Sequence, residues 1–392
     1  MSVFHFTKLR KHTEKIGSGV TPQGGEASYK SQGIPLIRSQ NVRVNRLDLS
    51  DVALIDQDQH NKMSGTKVVP GDVLLNITGA SIGRSCVVPH NVVESNVNQH
   101  VCIIRPKASL DARFLSLFLN SWFGQKQICS FQGGGSREAL NFQQIGKFDI
   151  PTPPIPEQKA IADLLSTWDE AIEKTERLVK AKEKRFKWLL RVLISDLQSK
   201  QNDGGLKVKL GTLFGKDIFV EKGKPLTKVS KNNGVIPVVA GGQSYAYYTS
   251  ISTHNMSTIT ISSSGAYAGF VWYHDYPIWA SDCNVLYVKK GSTKFLYFLL
   301  KAIQHRVYAL QSGGAQSHVY TKDIKSLEVI WPSKDLQERI ADNLTFLQNE
   351  IDILKHMVNK YKTQKHGLMQ KMLTGEWRVI PEIVKSYEDV NS

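Results

Sequence analysis

Three kinds of loop in this 392-residue chain carry side chains suited to anions and base edges, and each kind occurs twice. Asn76-Ile-Thr-Gly-Ala-Ser-Ile-Gly-Arg84 is answered by Ser262-Ser-Ser-Gly-Ala-Tyr-Ala-Gly269, with the Gly-Ala pair and the later glycine in register. Leu36-Ile-Arg-Ser-Gln-Asn-Val42 is answered loosely by Val239-Ala-Gly-Gly-Gln-Ser-Tyr245. Gln132-Gly-Gly-Gly-Ser-Arg137 is answered by Gln311-Ser-Gly-Gly-Ala-Gln316, followed by Ser317 and His318. Glycine lets backbone N–H groups approach a phosphate, and Ser, Thr, Arg, Asn and Gln bond to phosphates and base edges. Tight turns between strands use the same Gly and Ser. Three loops repeated in two basic segments favour nucleic-acid contact.

The candidate contacts in the first copy are Arg38, Ser39, Gln40, Asn41, Arg43, Thr78, Gly79, Ser81, Arg84, Gly134, Gly135, Ser136 and Arg137. In the second copy they are Gly242, Ser244, Tyr245, Ser263, Ser264, Gly265, Tyr267, Gly313, Gly314, Gln316, Ser317 and His318. Lys222 and Lys224, with Lys228 and Lys231, read as a phosphate-contacting loop or equally as a solvated face. Tyr245, Tyr247, Tyr248, Tyr267, Trp272 and Tyr273 interleave with polar groups, and for any one of them core filling is the commoner role than base stacking.

Catalytic constellations are missing. Gly211-Thr-Leu-Phe-Gly-Lys-Asp217 imitates a phosphate loop, but three residues separate its glycines instead of four, and Asp217 stands where Ser or Thr must meet a metal. It reads as a turn. No Asn/Asp-Pro-Pro-aromatic motif, nucleophile elbow, zinc-protease motif or dinucleotide fingerprint is present, and the histidines show no ligand spacing. No catalytic residue and no metal site is expected.

The net charge is +15, and its placement is informative. Residues 1–156 hold 17 Lys/Arg against 11 Asp/Glu, and residues 201–334 hold 15 against 7. The excess lies on the two segments that carry the loops, as a polyanion partner requires; solubility alone is the other reading. Four scattered cysteines without a Cys-x-x-Cys pair argue against zinc and a disulfide framework and for a reducing, cytoplasmic setting. No apolar stretch is long enough for a membrane span.

The positioning elements follow from an internal repeat. Gln132, Ile145, Pro153, Gln158, Ile161, Ala162, Asp163, Leu165, Ile172 and Leu189 recur as Gln311, Ile324, Pro332, Gln337, Ile340, Ala341, Asp342, Leu344, Ile351 and Leu368, always at the same spacing and without a gap. Each copy opens with short strands rich in β-branched residues, such as 34–37, 72–77 and 100–104, or 235–239, 258–261 and 284–288. One helix then follows, over 111–123 or 293–310, before the Gly-rich loop. A heptad seam comes next: Ile161, Leu165, Trp168, Ile172, Thr175, Val179, Lys182, Phe186, Leu189 and Leu193. The second seam lies one repeat further on, from Ile340 to Met372, and Thr175, Lys182 and Lys365 are the polar breaks.

The spacing predicts an α/β protein of two similar globular domains joined by two long antiparallel coiled-coil helices, with intermolecular pairing of the seams as the alternative. The expected segments are 1–154, helix 155–200, 201–333, helix 334–376 and a tail 377–392. Leu164, Leu178, Leu190, Ile353 and Met357 are apolar residues off the seams, and they mark a surface for partner proteins.

Pro153-Pro-Ile-Pro-Glu-Gln-Lys-Ala-Ile-Ala-Asp-Leu-Leu165, Leu336-Gln-Glu-Arg-Ile-Ala-Asp-Asn-Leu344 and Leu373-Thr-Gly-Glu376, set in this repeat, resemble the specificity subunits of type I restriction–modification enzymes. The resemblance covers essentially the whole chain. It implies a non-catalytic reader of double-stranded DNA whose two target-recognition domains bind the halves of an asymmetric, interrupted sequence. It also implies that the paired helices hold two methylation subunits, which restriction/translocase subunits join. S-adenosylmethionine, ATP and Mg would belong to those partner subunits. A stand-alone DNA-binding scaffold and a cryptic DNA-modifying enzyme are the competing readings.

Overall fold

The computed structural model describes residues 4–22, 24–92, 94–132, 139–199, 206–226, 234–313 and 316–388. It divides into two compact units, Met1–Thr175 with Met357–Ser392, and Glu176–His356. The division cuts through both long helices, so each unit owns a recognition segment and one portion of each helix.

In the first unit an antiparallel sheet runs in the order Thr13–Ser18, Val101–Pro106, Val73–Asn76, Ser85–Val87. A second sheet orders Ala53–Ile55, Ile34–Ile37 and Asn96–Val97, the last pair parallel. Phe6–Lys8 pairs with Asp149–Pro151. The second unit repeats all three sheets. Its four-stranded sheet runs Ile218–Lys222, Cys283–Val288, Thr258–Ser262, Val271–His274. Its three-stranded sheet holds Tyr247–Thr249, Ile236–Val239 and Trp279–Ala280, and Leu206–Lys209 pairs with Glu328–Trp331.

The central strands are apolar on both faces because both are covered. Val73, Leu75, Cys102 and Ile104 join one core with Phe114 and Phe118, whereas Leu74, Val101 and Ile103 turn into another with Ile37 and Val97. Fully burying such a side chain is worth about 1.5–3 kcal/mol. Burial also pushes the thiols of Cys86, Cys102 and Cys283 up to about 12. All four cysteines are free.

The helix expected over 111–123 is two helices. Ala112–Asn120, capped by the Asp111 carboxylate on Phe114 N at 2.9 Å, stops where Ser121 turns extended, and Trp122–Gln132 then begins. The Ser121 hydroxyl donates to Phe118 O at 2.6 Å. The chain folds back so tightly that a Cβ on Gly124 would lie 2.3 Å from Phe118 O, so only glycine fits. The helix expected over 293–310 likewise breaks at Ile303, between Thr293–Ala302 and Gln304–Tyr308.

The long helices are Ile155–Ser199 and Lys334–Met372, 45 and 39 residues, so about 65 and 60 Å. Within the first unit, as one helix runs from Glu157 to Asp169, its partners descend from Arg378 to Lys365, the mark of antiparallel packing. Within the second, Glu183 takes Lys355 at 2.6 Å and Lys182 takes Glu350 at 2.5 Å. Two polar breaks in the seams, Lys182 and Lys365, thus each meet an acid on the facing helix. Ile161, Leu165, Val179, Ile340, Leu344, Ile351, Val358 and Met372 fill the seams as spaced. No helix among the described residues is long and apolar enough to cross a membrane.

Candidate nucleic-acid interface

The repeated Gln158 and Gln337 fix each recognition segment to its long helix. Gln158 is buried, accepts from Asp111 N at 2.8 Å, and donates to Pro153 O at 2.8 Å and Ser109 O at 3.3 Å. Gln337 accepts from Ser292 N at 3.1 Å and donates to Pro332 O at 2.9 Å. Both therefore meet an equivalent N–H at the start of the recognition segment's own helix and an equivalent proline carbonyl before the long helix, which ties the two together.

On the four-stranded sheet the first two loop types meet each other and the chain that follows the third, in both units and by equivalent bonds. In the first, the buried Asn76 amide donates to Ser39 O at 2.9 Å, tying the second loop to the first. Thr78 bridges to Ala139, and Leu140 N donates to Ile77 O at 2.9 Å, tying in the chain that follows the third. In the second unit Ser262 Oγ donates to Gly241 O at 2.9 Å, Ser264 bridges to His318, and Val319 N donates to Ser263 O at 3.0 Å. Gly83 and Gly269 turn the chain at φ 85° and 87°, and their carbonyls accept from Gln125 at 2.9 Å and Gln304 at 2.8 Å. The positive φ explains why both places hold glycine.

The candidates distribute unevenly over this edge. Gln40 and Arg43 are exposed, Arg38, Ser39, Thr78, Ser81 and Arg84 are half-buried, and Arg38 lies over the Tyr29 ring at 5.4 Å. Gly79 and Gly265 sit at positive φ at the loop tips, and Gly313 does so in the third loop. Lys222, Lys224, Ser244, Tyr267 and Gln316 are exposed, with Gly242, Ser317 and His318 half-buried. His318 stacks on Tyr320 at 5.8 Å. Gly134, Gly135, Ser136, Arg137, Lys228, Lys231 and Gly314 lie outside the described residues.

Three expectations are corrected. Asn41 is 2% exposed and spends its side chain on Arg38 N, Asp48 O and Asp51 O, so it shapes the loop and does not reach outward. Ser263 is buried, its hydroxyl accepting from Asn284 at 3.3 Å. Tyr245 packs against Trp272 at 5.0 Å and meets the Tyr276 hydroxyl at 2.5 Å, the commoner core role. In the same cluster burial drives the His274 imidazole down to about 3.

Two residues at the edge had no sequence signal. His100 and Asp282 occupy the same register, each one residue before the strand partner of Asn76 or Ser262. His100 Nδ1 bonds Thr78 Oγ1 at 2.6 Å, and the Ser264 hydroxyl donates to Asp282. The steps from Thr78 to Ser264 and from His100 to Asp282 are both longer than that from Gln132 to Gln311. They fall outside the gapless block, which hides their equivalence.

On the helices, Leu164 and Met357 of the first unit and Leu178 and Ile353 of the second are exposed, at 41%, 37%, 43% and 61%. Leu190 is corrected: at 9% exposed it belongs to the second core with Leu296 and Leu344, because the recognition segment covers that helix face. Each unit also has a groove beside its helix pair. The first, about 470 Å³, is lined by Trp122, Asp169, Ile172, Lys362, His366 and Met369 among others. The second, about 340 Å³, is lined by Lys301, Gln348, Ile351, Glu183, Lys187 and Leu190 among others, the same six positions displaced by one repeat in either direction. Among the described residues no group of three His, Cys, Asp or Glu side chains is placed to hold a metal ion.

The profile of the type I restriction modification DNA specificity domain matches residues 14–183 and again 207–362. The chain belongs to the type I specificity-subunit family. Its two profile matches correspond to the two repeats. A putative type I restriction enzyme specificity subunit of Methanocaldococcus jannaschii is 21% identical over 95% of this chain and 93% of its own length. The StySPI specificity subunit of Salmonella potsdam is 21% identical over 88% and 83%. Among solved structures, the S subunit of M. genitalium superposes with a TM-score of 0.66, 17% identity and 94% and 96% coverage. The HsdS subunit of Thermoanaerobacter tengcongensis gives 0.51, 16% identity and coverage of 95% and 97%. The family's role is DNA recognition within type I restriction–modification complexes, and its specificity subunits are not themselves catalytic.

Proposed function

We propose that this specificity subunit reads the two halves of an interrupted, asymmetric DNA sequence, one with each recognition domain, and holds two methylation subunits that restriction/translocase subunits join. The observation that carries the reading is that two polar loops and the chain following a third meet on one edge of the sheet, by equivalent bonds, in both basic domains. Lys and Arg around that edge supply phosphate contacts, which dominate affinity and make it fall steeply with salt. The different side chains of the two edges supply different base contacts. S-adenosylmethionine, ATP and Mg are held by the partner subunits, and the complex works in the cytoplasm.

The exposed Leu164, Leu178, Ile353 and Met357 and the two equivalent grooves support docking of two copies of one partner. Leu178→Glu and Met357→Glu should weaken assembly with the methylation subunit while leaving the chain folded. The deciding experiment replaces residues 206–330 with the same region of a relative and maps methylated sites in cellular DNA. One half-site should change and the other persist; a change in both halves together would refute modular reading.

A further inference from the structure

Asp282 stands where the three second-domain loops meet. Its Oδ2 accepts from the Ser264 hydroxyl. Its backbone carbonyl accepts from Ser263 N at 3.2 Å. A Cβ built on Gly241, in the first loop, would lie 3.5 Å from Oδ2. The residue is half-buried, and no described group donates to Oδ1. A carboxylate is out of place on a face that meets phosphates, because every phosphate oxygen repels it and none can donate to it. The donors that a duplex offers are exocyclic amino groups, N4 of cytosine and N6 of adenine in the major groove and N2 of guanine in the minor groove. At the same register the first domain has His100, whose Nδ1 faces Thr78 and whose Nε2 accepts from the Gln99 amide at 2.9 Å. Among the described residues no carboxylate bonds to that imidazole.

We propose that Asp282 is a specificity-determining residue of the second domain, accepting a hydrogen bond from the exocyclic amino group of one base in its half-site. The first domain, with His100 in that place, does not make this demand, so the two half-sites differ at the corresponding base pair. The inference rests on the DNA-reading function proposed above.

The test uses the full chain assembled with its methylation subunits and a randomised duplex pool, with bound sequences read out. Asp282→Ala should lower discrimination at one base pair of one half-site by about tenfold or more. The base whose preference is lost, cytosine, adenine or guanine, identifies the amino group. Affinity for an unrelated duplex should stay level or rise, since a negative charge has gone. Hydrogen exchange over residues 262–269 should stay as slow as in the wild type, because Ser262 Oγ on Gly241 O and Val319 N on Ser263 O still tie the loops. Unchanged preference in Asp282→Ala would overturn the proposal. So would faster exchange over those residues accompanying the loss, which would assign the effect to the tie alone. If the wild-type complex selects no sequence, the DNA-reading function itself fails, an outcome distinct from either.

Discussion

Where the second loop meets the first, one domain uses the Asn76 amide on Ser39 O and the other uses the Ser262 hydroxyl on Gly241 O. Gln125 and Gln304 are identical in type and share the bond to the turn glycine, and Gln158 and Gln337 share the bonds to a helix-start N–H and a proline carbonyl. What differs lies at the rim, at the helix ends and in one packed aromatic cluster. Thr78 faces His100 in one unit, and Ser264 faces Asp282 in the other. Glu157 and Arg378 pair in the first unit only, since Leu336 stands at the repeat of Glu157. The packed Tyr245, Trp272, His274 and Tyr276 cluster belongs to the second unit only. A buried backbone N–H or carbonyl left unmet costs about 1–3 kcal/mol wherever it occurs. Groups that answer such atoms are therefore retained in both copies, whereas outward groups are free to diverge.

The largest expected contrast comes from the unshared ion pair. Glu157 is only 4% exposed, and Arg378 grips it through two bonds of 2.6 Å. Arg378→Ala leaves a buried carboxylate unpaired and should destabilise the first unit by about 3 kcal/mol. Adding Glu157→Leu, which copies the second repeat, should restore most of that. Hydrogen exchange read separately over each unit checks both, and a double variant as weak as the single would show that the stranded charge is not the cause.

A shared feature should respond in both units. Gln158→Leu strands Asp111 N, Pro153 O and Ser109 O, and Gln337→Leu strands Ser292 N and Pro332 O. Each should cost about 2–3 kcal/mol, with Gln158 the costlier. Denaturant midpoints for the two variants test the order.

Acid should separate the units. His274 is held neutral in the fold, down to about 3 from an ordinary 6.5, by burial. Between those values the unfolded chain binds the extra proton, so stability falls as pH drops below 6.5. The second unit should lose about 2 kcal/mol by about pH 5. His274→Gln should flatten that slope. Exchange rates at neutral and mildly acid pH would contradict this if the slope survived the substitution.

The smallest contrast concerns the seams. Lys365, with a side chain only 10% exposed, and Lys182, at 24%, each bond an acid across the helix pair. Replacing either by Met trades a pair for apolar packing and should shift stability by less than about 1 kcal/mol. Lys365→Met should gain the more. Thermal melting of the two variants ranks them.

Periodicity and repetition were legible because they are properties of order along the chain. The heptad steps through Ile161, Leu165 and Val179, the constant repeat spacing and the β-branched runs reflect which faces must be dry, and backbone geometry converts that order directly into helices and strands. The breaks at Ser121 and Ile303 were hidden, since both lie inside continuous apolar patterns. Convergence of the loops was hidden for another reason. Ser39, Asn76 and Ala139 are far apart in sequence and come together only through sheet register and crossovers. The same register decides that His100 and Asp282 fall at one position, and packing by segments distant in sequence buries Asn41 and Leu190. Residue order alone determined the two-fold repetition, the helical seams and the family. Only the tertiary structure decided which polar side chains serve backbone atoms and which stay unclaimed at the surface, because that depends on whether a neighbour distant in sequence has already claimed the hydrogen bond.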